Sequence, residues 1–459
     1  MNYGLDMRLR SIFEDEECAA AFDQILPGVR DMIGSSQEAL SLSVKMLASY
    51  TGGKFPQSAL NALDKALKEI GERNGQISPA ERQRIENYLA IEAADAARQE
   101  QGGMHCQDAV YPGQPWLDVA GRRIQAHAGG FLYENGTYYW YGENKEHTDG
   151  KSEIWTWGIR LYSSPDFYNW MDRGLIIPPV LDDPSSELFP EKRVDRPHIV
   201  KNPNTGRYVC WYKNSGPDAC FNVLAADSLF GPWEMATVHH NPFGLRVGDF
   251  DIAVDEASGT GYLYCEANHN TVKGFRLNRA FTEAIEVVST QYDKLDPPFT
   301  REGVTVLQRA GQLWMLTSGM TGYVPNQSDS AVSDGFEQAF VPVGDPHVDD
   351  DTLSSFNSQI GHVFKVPGKR DLYLAVADRW LPEFLLDREK ALALRRAAAS
   401  RYDPEHYKPS EADRALLANS PMLASANTGI ADYVILPIEF EDGMPKIPWK
   451  DSWRLEDYE

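Results

Sequence analysis

The chain has 459 residues, with 44 Lys and Arg against 67 Asp and Glu and a formal net charge of −23. A chain this long holds more than one ordinary core. Its negative charge repels phosphate backbones and anionic lipid headgroups, which argues against nucleic acid and membrane partners and for a neutral substrate.

The start, MNYGLDMRLRSIFEDEE, has no apolar stretch behind a basic segment and no small-residue cleavage site, and no run of about 18 apolar residues follows anywhere. The expected location is cytoplasmic. Five cysteines, Cys18, Cys106, Cys210, Cys220 and Cys265, show no Cys-x-x-Cys spacing, so buried, reduced thiols are expected.

Residues 1–103 read as a small helical bundle. In SALNALDKALKEIGE, Leu60, Leu63, Leu67 and Ile70 recur three and four apart, the spacing of a buried helical stripe. Ser78, Pro79 and Glu81 then form the cap, first turn and capping box of a helix carrying Ile85, Leu89 and Ile91. No catalytic constellation occurs here, and the Glu and Lys positions read as a solvated face. The break at Gln99 to Gly103 places the domain boundary, with 104–459 as the second domain.

That second domain repeats. IQAHAGGFLYENGTYYWYGE, RPHIVKNPNTGRYVCWYK, GDFDIAVDEASGTGYLYCEA, REGVTVLQRAGQLWMLTSG and SQIGHVFKVPGKRDLYLAVADRW each run from an alternating strand through a glycine turn to a second strand rich in aromatics. A second hairpin follows each of the first four. The fifth is interrupted by a helical insertion at about 381–430 before YVILPIEFEDGMPKI. Five four-stranded units make the fold mainly β, a five-bladed β-propeller; an irregular β-sandwich would show no regular period.

In a propeller the residues opening each unit converge on one mouth. Here they are His127 and Ala128, Asp195 with Arg196, Asp249 with Asp251, Glu302, and Gln359. Acids and amides drawn from several blades suit glycosidic cleavage, in which one group protonates the leaving oxygen and another activates water. Each acid taken singly also reads as a rim ion pair. His127, His198 and His362 lie near the same mouth, for sugar hydroxyls or a channel ion. The 21 tyrosines and 11 tryptophans suit sheet cores as well as sugar faces.

The runs REGVTVLQRAGQLWMLTSGMTGYVPN, QAHAGGFLYENGTYYWYGENK, SSFNSQIGHVF and VADRW resemble glycoside hydrolase family 43, and within it the exo-β-1,3-galactanase-like branch, over roughly residues 111 to 459. The resemblance implies an inverting exo-acting hydrolase that releases galactose from β-1,3-galactan or arabinogalactan-derived oligosaccharides. It makes Glu302 the general acid and Asp249 the aspartate that orients it and raises its pKa. Ala128 stands where most members carry the base aspartate, and the branch is thought to use a glutamine, matched by Gln359. Glu143 is the nearby carboxylate able to relay the proton or serve as base. Trp380, Tyr323 and Trp140 are candidates for stacking on sugar rings, and His127, Asp195, Arg196, Asp378 and Arg379 for further substrate contacts. No cofactor is required, although family propellers admit a calcium ion in the channel, with His362 as a candidate lining residue. The insertion, beginning just after Asp378, Arg379 and Trp380, is expected to wall one side of the pocket. An α-L-arabinofuranosidase or β-xylosidase, and a sugar-binding propeller without turnover, are the rival readings. Oligomeric state is not legible.

Overall fold

The structure, a computed structural model, describes residues 3–36, 39–40, 42–51, 54–74, 79–97, 105–216, 218–421 and 426–459. The expected cap at Ser78 and the domain break at Gln99 to Gly103 lie outside the described residues. Five antiparallel sheets follow one another in chain order, and the last gains a short parallel fifth strand, His347–Val348. The molecule is a five-bladed propeller preceded by a helical region, as its repeats imply.

The innermost strands are His127–Glu134, Val194–Lys201, Val247–Asp255, Arg301–Arg309 and Gln359–Lys365. Each contacts the next around the axis, and the fifth returns to the first, closing the ring. Alternation explains their positions, because every strand has one face toward each neighbouring blade, and both faces must be apolar or hydrogen-bonded. The seam between the first and last blades is filled by Phe131, Trp140, Tyr162, Phe167, Trp170, Phe364, Leu374 and Ile435. Val110 bridges Trp453 there, joining the two ends of the propeller.

Before the propeller lie helices Leu9–Glu14, Glu16–Ile25, Val29–Ile33, Val44–Tyr50, Gln57–Asn74 and Pro79–Ala97. Leu63, Leu67 and Ile70 are buried as their spacing requires, against Phe22, Ile12 and Leu9. The last helix departs from expectation: Leu89 is exposed and Tyr88 is buried in its place. Its partner is the propeller, which Tyr88 reaches, so the stripe rotates to meet Trp157 and Phe189. All five cysteines are free; Cys106 is exposed rather than buried, because it sits on the strandless entry to the first blade.

The insertion forms helices Arg388–Ala399 and Glu411–Ala418, each capped by a side chain, Asp387 and Ser410 respectively. Their apolar faces pack behind Trp380, Tyr323 and Val324. No described helix is long and apolar enough to cross a membrane.

Candidate active site

All five inner strands carry a register shift near their opening end, between His127 and Gly130, Asp195 and His198, Val247 and Phe250, Glu302 and Thr305, and Ile360 and His362. At three of these Ala128, Arg196 and Gly303 adopt positive φ of 48°, 50° and 61°. A bulge with a left-handed residue re-aims the chain at the mouth of a barrel-like ring. Here it brings residues from all five blades into one cavity of about 250 Å³, to which Glu143, Asp195, Arg196, Asp249, Glu302, Tyr323, Gln359 and Trp380 contribute.

Charge in this cavity is dense and unequally paired. Asp249 is gripped by Arg196 Nε at 2.8 Å and Lys213 Nζ at 2.7 Å, and it accepts the Gly303 amide at 3.0 Å. Burial would raise its pKa, but the two cations hold it well below the carboxylate range. Glu302 is half-buried, and among the described residues no cation contacts it directly; its Oε1 accepts from Gln359 Nε2 at 3.3 Å. Burial, helped by the Asp249 charge, pushes the Glu302 carboxyl up to about 8 against the pull of Arg196 and Lys213. Glu143 is fully enclosed. It pairs with Lys145 at 2.7 Å and accepts the Arg196 amide at 2.9 Å, yet burial still pushes it up to about 7.

The Gln359 amide is engaged on every side. Its carbonyl oxygen accepts from Arg196 and, at 3.4 Å, from Trp380 Nε1, while its amide donates to Ser318 Oγ at 2.8 Å and to Glu302.

Several expected contacts lie elsewhere. Trp140 is fully buried in the seam between the first and last blades, wedged against Trp116, Phe131, Trp170 and Tyr433, so it offers no face to a sugar. Arg379 points away from the cavity and donates to the carbonyls of Gly113 and Phe356, tying the entry segment to the last blade. His127 is wholly enclosed, stacked on Tyr433 at 4.7 Å and bonded through Nδ1 to Asp378 at 2.8 Å; Asp378 also accepts the Ala128 amide. This pair fixes the bulge at Ala128 from behind. The insertion helices likewise back the aromatic wall of Tyr323 and Trp380 without lining the cavity themselves.

Sequence reading missed Lys213, Trp155 and Arg193, all of which line the cavity. A signal existed for Lys213. Its strand partner is Asp195, as Glu143 is partner to His127, Ser318 to Glu302 and Asp378 to Gln359. In the first and second repeats the residue closing the second strand, Glu143 and Lys213, therefore lines the cavity. Trp155 and Arg193 lie on loops, where no periodicity marks them.

Deeper in the channel, ligand atoms of His198, Asp251 and His362 lie within 4.8 Å of one another. Calcium prefers six to eight oxygen ligands. Two imidazoles and one carboxylate, itself engaged by His198 at 2.7 Å and Thr305 at 3.0 Å, do not suit it. Burial and the nearby His198 push His362 down to about 3, a neutral ring.

Comparison with known proteins agrees with the fold. The structure superposes on a family 43 β-1,3-galactosidase with a TM-score of 0.61 at 24% identity, covering 76% of this chain and 64% of that one, so it spans less than two thirds of that relative. An exo-β-1,3-galactanase from Phanerochaete chrysosporium, solved with β-1,3-galactotriose, gives 0.60 at 22% identity over 76% of this chain and 68% of its own. A second family 43 β-1,3-galactosidase, solved with galactodeoxynojirimycin, gives 0.59 at 22% over 75% of this chain and all of its own. No curated protein sequence matches. Residues 125–342 match the family described as glycosyl hydrolases family 43.

Proposed function

We propose that the protein is an inverting exo-glycoside hydrolase that releases galactose from β-1,3-galactan or arabinogalactan-derived oligosaccharides, with Glu302 as general acid. The observation that carries this reading is the Glu302 carboxyl, in a cavity fed by every blade and raised to about 8. At neutral pH it keeps its proton, as an acid must. The galactosyl ligands of the structural neighbours favour galactose over other sugars.

The neighbouring groups then divide the work. Asp249, kept ionised by Arg196 and Lys213, raises the acid by like-charge repulsion and fixes the Gly303 bulge beside it. An inverting pair needs roughly 6.5–9.5 Å between carboxyls to admit water. Gln359 touches Glu302, and both acceptor directions of its carbonyl are occupied, so it positions the acid and the sugar. Glu143, near 7, is the proton acceptor of the pair. Trp380 and Tyr323, 5.0 Å apart and backed by the insertion, form an aromatic wall for the sugar ring.

Aryl β-galactoside, α-L-arabinofuranoside and β-xyloside are assayed side by side, with galactan oligosaccharides followed by NMR. Release of α-galactose from β-linked chains, lost in Glu302→Gln, is expected. Turnover of the arabinofuranoside or xyloside alone overturns the galactose assignment, and binding without any product overturns hydrolysis.

A further inference from the structure

Two loops carry cavity residues that no strand positions. The first, between strands Thr137–Glu143 and Ile159–Ser164, presents Trp155; the second, before strand Val194–Lys201, presents Arg193. The two are joined at the mouth. The Trp155 amide donates to the Pro190 carbonyl at 2.9 Å, the Arg193 guanidinium sits 4.7 Å over the Trp155 ring, and that ring stacks on Tyr323 at 6.0 Å.

On their far side both loops are held by the helical region. Two residues before Trp155 stands Glu153, and two before Arg193 stands Glu191; both are buried. Arg8 spans the pair, donating to the Glu153 carboxylate and carbonyl and to the Glu191 carbonyl. Arg84 Nε reaches Glu191 Oε1 at 2.8 Å, the Tyr88 hydroxyl donates to the same oxygen at 2.9 Å, and Arg84 Nη2 ties back to Ser11 at 2.8 Å. Around this cluster Tyr88 packs with Ile154, Trp157, Leu181 and Phe189. Ile154 and Trp157 flank Trp155 in sequence and face the helix, while the Trp155 ring lines the cavity.

We propose that the helical region is a positioning element of the active site: Arg8, Arg84 and Tyr88, acting through Glu153 and Glu191, hold Trp155 and Arg193 against the sugar cavity. None of the three touches the cavity that holds Glu302, so they act through other residues. The proposal rests on the glycosidase reading for its kinetic arm only.

The test uses the full chain. In Arg84→Ala, KM for β-1,3-galactobiose should rise about fivefold with kcat within about twofold, because sugar contacts shift while the acid does not. Trp155→Phe should raise KM as well, and the double variant should fall short of the product of the two, since one residue acts through the other. Tyr88→Phe, which keeps the ring packing and loses only the hydroxyl, should move KM the same way by about twofold, and it serves where Arg84→Ala does not fold. Acrylamide quenching supplies a readout independent of turnover: Arg84→Ala or Tyr88→Phe should increase it, and the increase should vanish in the Trp155→Phe background. A loss of thermal stability with unchanged KM and unchanged quenching overturns the proposal, as does multiplicative behaviour in the double variant. A wild-type chain that cleaves no galactoside overturns the function instead, and quenching still decides the positioning role.

Discussion

The cavity that holds Glu302 and the seam beneath the helical region use the same ingredients, buried carboxylates among arginines, and reach opposite results. At the seam Glu191 meets Arg8, Arg84 and the Tyr88 hydroxyl, and these hold it below the ordinary carboxylate range although burial would raise it. In the cavity Arg196 and Lys213 pair with Asp249, while Glu302 beside it accepts a glutamine amide and, among the described residues, forms no ion pair. Burial alone fixes neither outcome: two arginines and a hydroxyl outweigh it at Glu191, it prevails at Glu302, and at Glu143 it prevails even over the paired Lys145.

The largest break in this contrast comes from Glu302→Gln, expected to lower kcat on poor leaving groups about 10²- to 10⁴-fold, the usual worth of a general acid, and to erase the basic limb near pH 8 in the kcat/KM profile. Glu143→Gln should cost about 10²-fold and remove the acidic limb near 7. Asp249→Asn sharpens the comparison: with the neighbouring charge gone and Arg196 and Lys213 left facing Glu302, the basic limb should move below 8. Glu191→Gln should leave both limbs in place while unfolding shifts by about 3 kcal/mol, since it removes the buried counter-charge that Arg84 meets at 2.8 Å. Denaturation across pH reads the two sites with opposite sign. Glu302 rises from 4.5 to about 8 on folding, so the folded form binds its proton more tightly and that contribution to stability declines as pH climbs through this window. Glu191 is lowered on folding, so its contribution is present above the unfolded pKa and is lost as acid is added.

The propeller was legible because glycine turns and alternating strands recur at each blade, and a repeat fixes an architecture even when each hairpin is weak. The convergence of Asp195, Arg196, Asp249, Glu302 and Gln359 followed from that geometry. Direction was harder to read. Trp140 and Trp155 are the same residue type on the same blade, yet one fills the seam between the first and last blades and the other lines the cavity. For Trp140 the answer lies in strand parity against the last blade; for Trp155 it lies in contacts with the helical region far away in the chain, which hydrophobic periodicity cannot link to it. Arg379 shows the same limit, since a cation beside a mouth residue also serves to satisfy carbonyls of a neighbouring segment.

Every blade is built from consecutive strands, and the first and last meet through side chains and the Val110 to Trp453 bridge. Each of the first four sheets can therefore form early from nearby sequence, whereas the fifth spans the insertion and the cavity exists only once the circle is complete. Recovery of the proposed activity during refolding should accordingly lag behind the return of β-sheet signal, because no partial assembly of blades possesses a fraction of the cavity.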